Sequence, residues 1–181
     1  PQAAWQLLQG IETLPLRMER HVANTRRVVE FLAGHAAVES VAHPELPTHP
    51  DHALAKRLLP RGAGAVFSFN LRGDRAAGRS FIEALALFSH LANVGDARSL
   101  VIHPASTTHF RMDAAALAAA GIAEGTIRLS IGLEDPDDLI DDLKRALKAA
   151  QKASGSGAPR GGAPGVSGAS GTAAQPRPES A

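Results

Sequence analysis

Gly125-Thr126-Ile127-Arg128-Leu129-Ser130-Ile131-Gly132-Leu133-Glu134-Asp135 passes, within eleven residues, from a strand pattern into a helix cap. Ile127, Leu129 and Ile131 alternate with Thr126, Arg128 and Ser130, the period of a strand with one buried face. Asp135 is placed to cap, and Pro136 takes the first helical position. Beyond it Leu139, Ile140, Leu143, Leu147 and Ala150 recur at helical spacing. Asp137, Asp138, Asp141 and Asp142 crowd the start of that helix, and Lys144, Arg145, Lys148 and Lys152 its end, the order that suits a helix dipole. Asp141 and Arg145 are spaced for an i,i+4 pair.

Working back from this stretch, Asp113 caps an alanine-rich helix that Gly121 stops. Ser99–Ile102 and Leu91–Val94 are short strand candidates around Gly95-Asp96. Arg72-Gly73-Asp74 reads as a turn and cap for a helix reaching about Phe88, with Phe81, Leu85 and Phe88 inward. Ala65–Leu71 alternates cleanly, and Gly62-Ala63-Gly64 shapes its start. Asp51–Leu59 is a short helix closed by Pro60, and Val38–Val41 a short strand. Gln2–Leu14 and the segment from Leu16 to Gly34 are helical, separated at Pro15. The expected fold class is α/β: an α+β sandwich, with helices covering a small mixed sheet. Residues 1–33 form a long leading helix and 34–152 the sandwich. Residues 153–181, rich in Gly, Ala, Pro and Ser, cannot bury enough apolar surface to offset ordering and are expected to be disordered.

The 181 residues carry 19 basic and 18 acidic side chains, so charge gives no reason to expect nucleic acid or an anionic membrane as partner. Cysteine is absent, which excludes disulfides, thiolate metal sites and a cysteine nucleophile. No apolar run approaches the roughly 20 residues of a membrane span, and no signal peptide is visible, so the cytoplasm is the expected compartment. The chain lacks an initiator methionine, and residue 1 is not expected to be the natural start. The 8 histidines include the pairs His49/His52 and His103/His109. Neither has a third ligand at a usual spacing, so no metal site is expected. Met18 and Met112 are expected to fill core space.

Four strings in order carry a resemblance: Leu7-Leu8-Gln9-Gly10-Ile11-Glu12-Thr13-Leu14-Pro15-Leu16-Arg17-Met18-Glu19-Arg20-His21; Ser89-His90-Leu91-Ala92-Asn93-Val94-Gly95-Asp96; Ser99-Leu100-Val101-Ile102-His103-Pro104-Ala105-Ser106-Thr107-Thr108-His109; and the Gly125–Asp135 stretch. Together they resemble the cystathionine synthase and lyase family of pyridoxal-phosphate enzymes of Cys/Met metabolism. The second and third look most like its O-acetylhomoserine sulfhydrylase branch. The resemblance spans about Ala4 to Ala150.

It implies the aspartate-aminotransferase-like (type I) pyridoxal-phosphate fold. Residues 1–33 would be the inter-domain helix and 34–152 the small substrate-closing domain, with the large cofactor-binding domain outside this chain. Trp5 and Leu7 would then pack on parts that are absent here. The Schiff-base lysine would be absent too, because Lys56, Lys144, Lys148 and Lys152 lie in no context like the family's. No catalytic residue is therefore assigned. Pyridoxal 5′-phosphate is expected in the intact enzyme, and binding by this chain alone is not.

The implied substrate-binding residues are Arg128, Asn93, Ser106 and Thr107. Arg128 matches the arginine that grips the substrate α-carboxylate, a task for which the rigid two-pronged guanidinium suits better than a lysine point charge. Its plain alternative is a structural salt bridge. Asn93 falls where relatives place a small polar residue, and is equally readable as an Asx-turn residue ahead of Gly95. Ser106, Thr107 and Thr108 would line the pocket, or else satisfy backbone groups after Pro104. The implied reaction joins O-acetyl-L-homoserine with sulfide or a thiol. Cystathionine γ-synthase or methionine γ-lyase chemistry is the near alternative, and a non-catalytic fragment with a binding or assembly role the distant one. Family enzymes imply a homo-oligomer, usually a tetramer.

Overall fold

The computed structural model describes residues 1–155. Its elements run α1 (Gln2–Glu12), α2 (Leu14–Ala33), β1 (Val38–Ala42), α3 (His52–Leu58), β2 (Val66–Leu71), α4 (Arg75–Ala84), β3 (Ser89–His90), β4 (Leu100–Ile102), α5 (Ala114–Ala119), β5 (Thr126–Ser130) and α6 (Pro136–Gly155). A 3-10 turn at Pro104–Ser106 follows β4.

The alternation read from the sequence sets the sheet faces. The strand order is β1-β2-β5-β4-β3, antiparallel except for the parallel β3–β4 pair. Phe67 and Phe69 of β2 pair with Leu129 and Ile127 of β5, and Val101 of β4 pairs with Leu129, so these side chains share one face. That face forms the core with Val28, Val29 and Leu32 of α2, Ala77 and Phe81 of α4, and Leu139, Leu143 and Leu147 of α6. Phe69 and Phe81 meet edge to face, 5.7 Å between ring centroids, a favourable aromatic geometry. The mixed sheet covered by helices is the expected sandwich.

Several local expectations are corrected. The break between the first two helices falls at Thr13, with Pro15 inside the first turn of α2, where its missing N–H costs nothing. Helix α4 ends at Ala84 and not near Phe88. The cause is tertiary: the Asp142 carboxylate accepts the N–H groups of Ala86 (3.1 Å) and Leu87 (2.8 Å), drawing the chain out of the helix. Asp142, one of the four acids that crowd the start of α6, is buried. It also takes the ion pair expected of Asp141: Arg145 bonds Asp142, whereas Asp141 pairs with Lys144. Leu91–Val94 is not a strand. Ser89–His90 pairs instead, and the chain then leaves the sheet as an exposed loop. Helix α6 continues through Gly155, past the expected end at Lys152, and Ser154 bonds the Ala150 carbonyl within it. The expectation for the rest of the tail lies outside the described residues.

Met18 is 39% exposed, not core, and borders a surface cleft. Gly62 and Gly64 have φ of +134° and +88°, and a Cβ at Gly62 would run into Val22, so these glycines do shape the approach to β2. Helix α1 buries none of its residues; Trp5, Leu7, Leu8 and Ile11 are exposed. Among the described residues no helix is long and apolar enough to cross a membrane.

Candidate functional site

Arg128 lies on β5, the middle strand, paired across with Ser68 on β2 and Ile102 on β4. Its side chain leaves on the face opposite the helix-packed core, as its alternation with Ile127 and Leu129 requires. The site therefore begins with a half-buried arginine whose backbone is held by hydrogen-bonded neighbours on both sides. Its hydrogen bond to the loop above is a long one, Nη2 to the Asn93 carbonyl at 3.5 Å. Among the described residues no Asp or Glu forms an ion pair with it. A structural salt bridge would need one, because a charge taken partly out of water is stabilised by pairing. Arg128 is thus a charged donor fork with free capacity, facing a loop.

That loop, residues 91–98, carries Asn93. The Asn93 side chain turns back on itself, Oδ1 accepting the Val94 N–H at 2.8 Å, and it is the backbone carbonyl that meets Arg128. Both the turn role and the proximity to Arg128 are therefore present. The Asp96 carboxylate accepts the Arg98 N–H at 3.0 Å. This hydrogen bond, with a further contribution from the Arg98 side chain, holds its carboxyl below the usual range. Beside the loop a cleft of about 320 Å³ opens along the Arg128 face, bordered by Val66, Ser130, Val94, Gly95, Asp96 and Met18.

Ser106 and Thr107 lie at the 3-10 turn after His103, which follows β4, and neither borders that cleft. The Thr107 hydroxyl donates to the His103 carbonyl at 2.8 Å, and Ser106 Oγ lies 2.9 Å from His103 Nδ1. Both hydroxyls already have partners, as the backbone-satisfying reading anticipates. Thr108 Oγ1 meets His109 Nδ1 at 2.8 Å on the surface. His103 is fully buried, and its Nε2 donates to the Glu124 carbonyl at 2.7 Å. Burial first, then nearby Arg75, Arg79 and His90, lower its pKa; the bond to the Glu124 carbonyl opposes them without reversing the direction. The ring is a neutral post under the 105–109 turn, and Gly78 leaves the room for it.

Sequence reasoning missed a polar joint at the end of β5. Glu134 accepts the Ser99 N–H at 2.6 Å on one carboxylate oxygen and the Ser99 hydroxyl at 2.9 Å on the other. Ser99 Oγ in turn accepts the Gly132 N–H at 2.8 Å. On the opposite side, Asn24 of α2 donates to the carbonyls of Gly132 (3.0 Å) and Glu134 (2.8 Å), and His21 Nδ1 to that of Ile131 (2.6 Å). Each of these residues but Asn24 lies in one of the strings quoted above; nothing in their spacing shows that they meet.

His49 and His52 each bond the local backbone, Nδ1 of His49 to the Asp51 N–H and Nδ1 of His52 to the Pro44 carbonyl. Lysine is absent from the border of the cleft. Lys144, Lys148 and Lys152 ride on α6, across the core, and Lys56 lies on α3. The arrangement offers an arginine without an acidic partner among the described residues, beside a cleft whose border holds no lysine.

A family model for the Cys/Met metabolism PLP-dependent enzymes matches residues 1–148. The O-acetyl-L-homoserine sulfhydrylase of Leptospira meyeri is 50% identical over 149 residues, 82% of this chain and 34% of its own length. The L-methionine gamma-lyase of Pseudomonas putida is 46% identical over 149 residues, again 82% of this chain and 37% of the relative. A crystal structure of cystathionine gamma synthase from Xanthomonas oryzae pv. oryzae, in complex with cystathionine, superposes with a TM-score of 0.73 at 46% identity, covering 81% of this chain and 38% of that one. The chain spans about a third of the length of the curated relatives it matches. With the fold, the matched span and this level of identity in agreement, the chain belongs to the Cys/Met metabolism family of PLP-dependent enzymes.

Proposed function

We propose that this chain is the C-terminal, substrate-closing part of a sulfhydrylase that converts O-acetyl-L-homoserine and sulfide, or a thiol, into L-homocysteine, or the thioether, and acetate. The Cγ–O ester bond breaks, a Cγ–S bond forms, acetate leaves with the bonding pair, and the sulfur loses its proton. Pyridoxal 5′-phosphate, bound in the intact protein by parts outside this chain, supplies the electron sink for that chemistry. This chain, without a lysine at the cleft, is not expected to bind the cofactor alone. The intact protein is proposed to act in the cytoplasm as a homo-oligomer, a tetramer.

The observation that carries the reading is Arg128: half-buried, on the central strand, with no acid partner among the described residues. A substrate α-carboxylate is the anion that would complete it. Two parallel N–H···O bonds fix the direction of the amino acid as well as its place. Asn93, Ser106 and Thr107 flank the position, Asn93 through its carbonyl and the two hydroxyls through the turn they stabilise. Domains are proposed at 1–33 for the inter-domain helix and 34–152 for the closing domain. A γ-lyase or γ-synthase remains the second reading, favoured by relatives of both kinds at 46% identity.

The test supplies, as a separate chain, the two thirds of the Leptospira meyeri sulfhydrylase that this chain does not span and follows homocysteine released from O-acetyl-L-homoserine and sulfide. Activity that needs both chains, with KM raised about tenfold or more by Arg128→Lys, is expected, since one charge-assisted bond is worth ~1.5–3 kcal/mol. Wild-type kinetics in Arg128→Lys would sink the role of the fork. Cystathionine from added cysteine, or methanethiol from methionine, in place of homocysteine would move the assignment to the second reading.

A further inference from the structure

The 91–98 loop stands over Arg128 but is scarcely held by its own residues. Apart from half-buried Asp96, residues 91–98 are exposed. Asn93 Oδ1 and Asp96 Oδ1 bond only within the loop. At its start, Leu91 N–H reaches back to the Ser89 carbonyl at 3.0 Å. At its end it is clamped from outside: Leu133 N–H donates to the Ala97 carbonyl at 2.9 Å, and Glu134 takes both the N–H and the hydroxyl of buried Ser99. The clamp is tight. A Cβ on Gly132 would come within 2.5 Å of Arg98 C and of Ser99 N, so only glycine lets the loop end lie against residues 132–134.

Glu134 also faces the other way. Its carbonyl accepts from Asn24 at 2.8 Å and from Arg20 at 3.4 Å, both on α2. One residue thus ties the outer helix to the loop that approaches Arg128, through its backbone on one side and its carboxylate on the other. We infer that Glu134 is the positioning residue of the carboxylate site: by clamping Ser99 it sets the height of the 91–98 loop over Arg128, and it links that loop to the seat of α2. The inference rests on the carboxylate-binding reading of Arg128 and adds to it the element that makes the grip selective. Such a link is reciprocal: a ligand that settles the loop also tightens the α2 seat, because coupling free energy is shared by both sites.

Glu134→Gln probes the clamp without changing volume. The substituted amide keeps a carbonyl for the Ser99 N–H but turns an N–H donor toward the Ser99 hydroxyl, which already accepts from Gly132. The hydroxyl proton then has no acceptor. Ser99→Ala, which removes the hydroxyl and adds nothing, is the second variant, and the exposed β1 residue Glu39 as Glu39→Gln is the control.

Two measurements on the 181-residue chain separate the inference from the reading beneath it. The first is amide hydrogen exchange. In Glu134→Gln and Ser99→Ala, residues 91–98 should exchange about tenfold faster, the effect of losing one charge-assisted bond from an opening equilibrium, while β2 and β5 keep wild-type protection. The second is an NMR titration of the Arg128 side chain and Asn93 amide with O-acetyl-L-homoserine, with acetate as a bare carboxylate. Wild type should respond, Arg128→Ala should not, and both clamp variants should bind about tenfold more weakly.

No response in wild type would end the Arg128 reading. Loop exchange equal to wild type in both clamp variants would overturn the positioning role by itself. So would faster exchange spread evenly over the whole chain, which marks general destabilisation, or a faster loop with unchanged affinity. Slower exchange at Asn24 when ligand is bound in wild type, absent in Glu134→Gln, would establish the link to α2; its absence in wild type would remove that part.

Discussion

Asp142 decides where α4 stops, and removing its carboxylate should be among the most costly single changes on α6. The side chain is 3% exposed. It accepts the N–H groups of Ala86 and Leu87, the latter at 2.8 Å, and pairs with Arg145. Each N–H···carboxylate bond is worth ~1.5–3 kcal/mol. Ala86 and Leu87 are exposed residues, so their released N–H groups can reach water, which brings the sum toward the low end. The Arg145 side chain is 57% exposed, and its pair adds little after solvent screening. Asp142→Ala is therefore expected to cost about 3–4 kcal/mol, or roughly 10 °C in Tm for a domain of this size. Asp142→Asn retains one acceptor oxygen and should lose about half as much. Arg145→Ala should lose under about 1 kcal/mol. Thermal unfolding followed by circular dichroism ranks the three. If Arg145→Ala is as damaging as Asp142→Ala, or Asp142→Ala melts with wild type, the carboxylate does not hold the α4 terminus and the reason given for its early end is wrong.

Other consequences can be checked on the same chain. His43 is 1% exposed, with Nε2 buried and unpartnered, and burial lowers its pKa against the raising effect of Glu45, with His49 and Arg26 adding to the lowering. The unfolded chain takes up that proton first, so the stability His43 contributes is present above about pH 6.5 and is lost as pH falls through its depressed folded value. His43→Gln should flatten the difference between urea midpoints at about pH 7.5 and 5.5; an unchanged difference refutes it. At Gly78 a Cβ would lie 2.6 Å from His103 Cε1, and the ring is held at both nitrogens. Gly78→Ala should then cost about 1–3 kcal/mol in urea unfolding, the range of overpacking; a neutral result would show that the ring is free to shift.

The strands and their faces were legible because burial writes itself into alternation. Phe67, Phe69, Ile127 and Leu129 read inward from spacing alone, and so they lie. Caps were legible for a similar local reason: Asp74 and Asp113 accept N–H groups of the first turns they precede. What failed was decided by distant residues. The Phe81–Leu85–Phe88 spacing continues a helix, and only Asp142, 55 residues beyond Leu87, ends it. Leu91–Val94 has the composition of a strand but no neighbour to pair with once His90 has left β4. The site divided in the same way. Arg128 was visible as a charge on the polar side of a strand, and the family resemblance gave it a role. Glu134 and Ser99 looked like an ordinary acid and an ordinary serine, because their meaning lies in a contact across 35 residues of chain.

That division also says what kind of site this is. A carboxylate fork of the kind proposed for Arg128 must be aimed within tenths of an ångström to orient a substrate, and Arg128 lies on a strand with antiparallel partners on both sides. Closing over a substrate demands the reverse, an element that can change height, and the 91–98 loop is exposed and anchored chiefly at its ends. A rigid fork under an adjustable loop needs a joint that carries the loop's position to the rest of the molecule. The joint must be short and polar, so that it is directional, and at least partly sheltered, so that water competes for it less. Ser99 and Gly132 are buried and Glu134 is half-buried, and on their far side they hold Asn24 on the helix that leads out of the sandwich. If Arg128 holds a carboxylate as proposed, the position of α2 and the state of that site are two readings of one hydrogen-bonded unit, and a change imposed on either is expected to be felt at the other.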